Sequence, residues 1–146
     1  MAWFWQTSED HQFMLDIFAE IDRGGFGPLD NGRLYATGIS SGGYMTSRMD
    51  VSYRSRFRAL AIHSASYATC GGFLCVLPDD LNSGHLPTLF MHGDADPIVP
   101  IATMLSYRDE LDNLGVDTET IVAPGVGHAW IDASPQALVD WFGSHP

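Results

Sequence analysis

The stretch Arg33-Leu-Tyr-Ala-Thr-Gly-Ile-Ser-Ser-Gly-Gly-Tyr-Met-Thr-Ser-Arg48 decides the fold. Arg33 to Ile39 predicts a short strand, and Ser41 to about Arg54 predicts a helix. Between them, Gly38-Ile39-Ser40-Ser41-Gly42 forms a G-x-S-x-G turn. Toward the amino end, Met14, Ile17, Phe18 and Ile21 recur at helical spacing, which predicts a helix from about Glu9 to Arg23. Thr7 or Ser8 can cap its start, and Gly24-Gly25 stops it. Toward the carboxyl end, Ala59–Ile62 is a short apolar run of the kind that fills a buried parallel strand. An irregular stretch from Ser64 to Leu86 follows, and then a second apolar strand over Thr88–Met91. Ile101–Leu114 predicts a helix ended by Gly115, and Thr118–Val122 alternates as a strand. Ser134-Pro135 opens a last helix, with Ser134 as the expected cap and Leu138, Trp141 and Phe142 on one face.

The elements therefore alternate, α-β-α-β-loop-β-α-β-α. That order predicts an α/β fold: a short, mostly parallel sheet of about four strands with helices on its faces. Reactive residues in such sheets gather at the carboxyl ends of the strands. Three segments lie there: Ser40, the Asp94–Asp96 loop and His128.

Composition narrows the chemistry. The 146 residues are the length of one domain, and residues 1–146 read as a single one. With 45% hydrophobic and 17% charged residues, the chain can pack a core. All seven basic residues are Arg, so neither a P-loop lysine nor a Schiff-base lysine is available. A net charge of -11 disfavours nucleic acid and anionic membranes as partners. No apolar run approaches the ~18 residues of a membrane span. No basic region followed by an apolar stretch opens the chain, so no signal peptide is expected and the chain as written reads as cytoplasmic. Cys70 and Cys75 can close a small disulfide loop or stay as two thiols. No H-x-x-x-H or C-x-x-C spacing occurs, so no metal site is expected, and the serine chemistry read below needs no organic cofactor.

The G-x-S-x-G spacing has a specific physical meaning. A serine on a sharp strand-to-helix turn has strained backbone, and small residues two before and two after it avoid clashes. Gly38 and Gly42 supply them. The turn lifts the Ser40 hydroxyl clear of the sheet and aims the Ser41 backbone N–H, at the helix start, toward a developing oxyanion. Met91-His-Gly-Asp-Ala-Asp-Pro-Ile-Val-Pro100 ends the third strand. Asp94 and Asp96 both qualify there as the acid that orients a histidine. His128 follows the last strand in Gly125-Val-Gly-His-Ala-Trp130, a loop from which an imidazole can reach Ser40. His63 and His92, at strand ends, read as makers of structural hydrogen bonds, and His11, His85 and His145 as surface residues.

These three motifs together resemble the α/β-hydrolase superfamily, and within it the polyhydroxyalkanoate depolymerase and feruloyl esterase branch. The resemblance covers nearly the whole chain. It implies Ser40 as nucleophile, His128 as base and Asp96 as acid, because the pattern H-G-x-x-D-x-x-V-P places the acid at its fifth position. Members of this family usually carry four strands before the helix that leads to the nucleophile strand, and this chain begins about at that helix. The resemblance therefore implies a truncated α/β-hydrolase in which the second oxyanion N–H comes from another group or another chain, or is missing. The family is often secreted.

Two functions follow as expectations. One is a serine carboxylesterase that acts on a small ester or a polyester through an acyl-enzyme, with Trp3, Trp5, Tyr67 and Trp130 as candidate substrate contacts. The other is a weak or inactive truncated hydrolase that serves as a binding or assembly module. Peptidase, thioesterase and acyltransferase chemistry fit the same residues. The Arg33–Ile39 strand would be a sheet edge, and Trp3 to Trp5 would place large aromatics beside it. Exposed edges of that kind pair with something, so a homodimer or higher homo-oligomer is expected.

Overall fold

A computed structural model describes residues 9–70, 76–77 and 81–146. Helix α1 (Glu9–Asp22) is followed by strand β1 (Tyr35–Ile39), helix α2 (Ser41–Tyr53) and a single 3-10 turn at Arg54–Arg56. Then come β2 (Ala59–His63), β3 (Thr88–Gly93), α3 (Ile101–Asn113), β4 (Thr118–Ala123) and α4 (Ser134–Ser144). The four strands form one parallel sheet in the order β1-β2-β3-β4. This is the α/β architecture that the alternating pattern predicts.

The two inner strands are buried at every residue, whereas β1 and β4 are mixed. Side chains alternate across a strand, so each strand feeds two cores. Leu60, Ile62 and Phe90 face α1, α2 and α3, where they meet Phe18, Met49, Tyr53, Met104, Tyr107 and Leu111. Ala59, Ala61, Leu89 and Met91 face α4 and pack on Trp141, Leu138 and Phe142. Three layers result, with helices on both faces of the sheet.

A buried polar knot pins the first of these cores. Asp50 accepts two hydrogen bonds from Arg54, at 2.9 and 2.7 Å, and one from the Leu86 N–H at 2.9 Å. His85 lies 3.6 Å from the same carboxylate and pairs with the Tyr107 hydroxyl at 2.6 Å. His85 is thus a core residue rather than the surface residue its sequence context predicts. Burial holds its pKa down, so it sits there as neutral imidazole.

Two other expectations change, and one left open is decided. Ser134 does not cap α4: Ala133 stands at the cap position and the buried Ser134 hydroxyl has no hydrogen-bond partner among the described residues. The Ser134 N–H instead closes a turn onto the Ile131 carbonyl. Tyr67 is buried, edge-on to Tyr107, in the core. Cys70 is disulfide-bonded; Cys75, Trp3 and Trp5 lie outside the described residues.

Candidate active site

Ser40 ends β1 with φ 54° and ψ -122°, a conformation that strains an L residue. Its neighbours hold it there. The Ser40 N–H donates to the His63 carbonyl and its own carbonyl accepts from the Tyr44 N–H, both at 3.0 Å. A Cβ on Gly38 would stand 2.4 Å from the Gly42 carbonyl carbon, so only glycine lets the end of β1 meet the start of α2. The second tight position is Gly43, not the expected Gly42. A Cβ on Gly43 would stand 2.5 Å from the Ala65 Cβ, whereas one on Gly42 meets nothing within 4 Å. Ser41 is exposed as the first residue of α2. Its N–H belongs to the first turn, whose amides have no intrahelical acceptor and carry the positive end of the helix dipole.

The loops after β3 and β4 lock together. Asp94 Oδ1 accepts from the Gly125 N–H at 2.6 Å, and the Ala95 N–H donates to the Val126 carbonyl at 3.0 Å. A Cβ on Gly93 would stand 2.1 Å from the Val126 oxygen. This clasp sets the two following residues side by side. His128 Nδ1 lies 2.7 Å from Asp96 Oδ2. Asp96 Oδ1 accepts two further bonds, from the Ile98 and Val99 N–H groups at 2.8 and 2.9 Å.

Burial works to raise the Asp96 pKa, but the Val99 N–H, the His128 imidazole and the Ile98 N–H outweigh it, and the net shift is downward. Asp96 is therefore an anion that only accepts, so His128 donates from Nδ1, and in a neutral ring that assigns the lone pair to Nε2. The exposed Asp94 side chain instead accepts from the Gly125 N–H in the turn after β4. The geometry thus separates the two aspartates that the residues alone leave as alternatives. His92 backs the carboxylate. Its Nε2 donates to the Val99 carbonyl at 3.0 Å and lies 3.4 Å from Asp96 Oδ2.

The loop carrying His128 leaves the β4 edge and crosses toward β1. It passes the β3 loop at Asp96 and reaches β2, where the His63 ring accepts from the Ile131 N–H at 3.1 Å and lies 4.7 Å from the Trp130 ring. His63 is also the residue whose carbonyl holds Ser40. Ser40, Asp96 and His128 thus share the carboxyl end of the sheet, and no hydrogen bond joins Ser40 to His128 among the described residues. Trp130 is 48% exposed. It stands between a groove of about 510 Å³ reaching Leu138 and one of about 330 Å³ reaching Val122 and Val126. The sequence reading left out the clasp at Gly93 and the double attachment of His63. Neither has a local signature, because both depend on which loops the sheet order brings together.

The fold is that of the α/β-hydrolases, and comparison with known proteins agrees. The Bacillus cereus carboxylesterase superposes with a TM-score of 0.67 at 16% identity, covering 90% of this chain and 57% of that one. Esterase PE8 superposes with a TM-score of 0.68 at 19% identity, covering 89% and 59%. Residues 79–144 match the prolyl oligopeptidase family. In sequence, the chain is 49% identical to the poly(3-hydroxyoctanoate) depolymerase of Pseudomonas fluorescens, over 98% of this chain and 55% of the depolymerase. The chain spans about half the length of the curated relatives it matches.

Proposed function

We propose that this chain hydrolyses carboxylic esters through an acyl-enzyme on Ser40. His128 Nε2 takes the Ser40 proton as the hydroxyl oxygen attacks the ester carbonyl. The Ser41 N–H stabilises the oxyanion, and His128 returns the proton to the leaving alcohol. Water then attacks the acyl-enzyme, with His128 again as base, and releases the acid. Asp96 holds the imidazole tautomer and offsets its transient positive charge. The observation that carries this reading is the 2.7 Å Asp96–His128 pair, with Nε2 left as acceptor at the strand ends where the strained Ser40 turn stands. The 49% identity to a polyester depolymerase supports an ester substrate, and the groove beside Trp130 suits an aliphatic chain. The direct test is turnover of p-nitrophenyl octanoate. Wild type should turn over, and Ser40→Ala should lose about 10⁴-fold or more in kcat. A Ser40→Ala protein that keeps its activity contradicts the reading.

The edge position of β1 supports a second element of this reading, self-association. Its outer N–H and C=O groups have no neighbour in the sheet of described strands, and such an edge is a template on which another chain can pair. The proposal is a twofold dimer joined along β1. Light scattering at micromolar concentration should give twice the monomer mass. A stable, active monomer contradicts it.

A further inference from the structure

We infer that His63 is a positioning residue that ties the Ser40 turn to the loop bearing His128 and so sets where the base stands relative to the nucleophile. The inference rests on the Ser40–His128–Asp96 reading above. It starts from one residue with two attachments. The His63 main chain accepts the Ser40 N–H at 3.0 Å, and its side chain accepts the Ile131 N–H at 3.1 Å. Asp96 controls which nitrogen of His128 carries the proton and how the ring turns. Nothing in that pair fixes its distance from β1, two strands away. The His63–Ile131 bond and the Trp130 contact do, because they fasten the far end of the same loop to the strand beside β1.

The chemistry of the imidazole demands one state. A neutral ring has one N–H and one lone pair. Ile131 presents a donor, so Nε2 carries the lone pair and Nδ1 carries the hydrogen. Nδ1 lies 3.1 Å from the Ser64 hydroxyl, which receives it. Ser64 is fully buried and has φ 45°, so a second strained serine directly follows β2 as Ser40 directly follows β1. Strain at a buried residue persists only where its surroundings over-determine it, and here it sets a hydroxyl against His63 Nδ1. The groups that face His63 electrostatically are His92, His128 and Asp96. Burial first, then His92 and His128, hold its pKa down to about 4, so the required neutral ring is present at neutral pH.

The test compares His63→Phe, which keeps a ring against Trp130 but has no acceptor, with His63→Gln, whose amide oxygen can accept from Ile131. His63→Phe should lose roughly ten- to hundred-fold in kcat on p-nitrophenyl octanoate while KM stays within about threefold, because a small displacement of the base costs rate rather than binding. His63→Gln should recover most of that loss although its melting temperature drops as well. Wild-type kcat in a folded His63→Phe, or equal losses in both variants, overturns the inference. Nitrogen-15 NMR of the wild-type histidines supplies a readout that needs no variant. His63 should be the Nδ1–H tautomer at pH 7, and an Nε2–H tautomer overturns the inference. His128→Ala, run alongside, separates the two levels. If it stays active, the underlying triad reading fails and this one with it; if it is inactive while His63→Phe is not, only the role of His63 fails.

Discussion

The Ser40 turn and the Asp96–His128 pair stand at the same end of one sheet, yet different forces hold them. The turn is held by shape. Its strained φ of 54° survives because Gly38 and Gly43 let β1, α2 and the end of β2 approach more closely than any side chain permits. The pair is held by charge and hydrogen bonds. A buried carboxylate that accepts two backbone N–H groups orients one imidazole and leans on another. A site built in these two ways should fail in two ways. The turn should respond to added volume and ignore pH, whereas the pair should respond to charge and protonation.

The largest effect separates the two aspartates. Asp96→Asn should lower kcat by about 10⁴-fold, because an amide can present N–H to His128 and select the wrong tautomer. Asp94→Asn keeps an oxygen for the Gly125 N–H and should change kcat by less than about threefold. Steady-state kinetics on p-nitrophenyl octanoate with both folded variants checks this, and the reverse ranking would move the acid to Asp94.

Volume is the next break. Gly38→Ala sets a methyl 2.4 Å from the Gly42 carbonyl carbon and should cost about 10²-fold in kcat together with a clear drop in melting temperature. Gly42→Ala meets open space and should stay within a few-fold of wild type, which distinguishes the observed contacts from the expected symmetry of the G-x-S-x-G motif.

The smallest effect concerns pH and stability. His63 falls from an ordinary 6.5 to about 4 in the folded protein. The unfolded chain therefore binds the extra proton first as pH drops. The stabilisation from a neutral His63 is complete above 6.5 and is lost between 6.5 and about 4. Asp96, held below its ordinary 3.8, contributes above that value and loses its contribution only as pH falls further, through its folded pKa. Urea melts from pH 7 to 4 should show the loss in wild type and a flatter profile in His63→Gln.

How far the sequence could be read follows the same division. Short apolar runs between turn signals announce β2 and β3 because those strands are buried on both faces. The serine turn is legible as far as its sterics are local, in the Gly38–Gly42 contact within five residues of chain, whereas the need for Gly43 comes from Ala65 beyond β2 and has no local sign. Asp96 and Asp94 are not separable from spacing alone, since what distinguishes them is which one the β4 loop offers an imidazole and which a backbone amide. His85 is misread for a related reason. The polar Asn82-Ser83-Gly84 turn before it reads as surface, and its partners Asp50 and Tyr107 come from α2 and α3, far away in the chain. Ser134 has the right residue type for a cap, but the preceding turn at Ile131 takes its N–H and shifts the cap to Ala133.

The central claim is that Ser40 is a nucleophile activated by the Asp96–His128 pair. It is tested most directly by reacting the folded protein with a fluorophosphonate and measuring intact mass and the modified peptide. The account predicts one adduct, on Ser40, absent in Ser40→Ala and formed far more slowly in His128→Ala and Asp96→Asn. No adduct on the folded wild type, an adduct on another residue, or labelling of Ser40 at the same rate without His128 would contradict it.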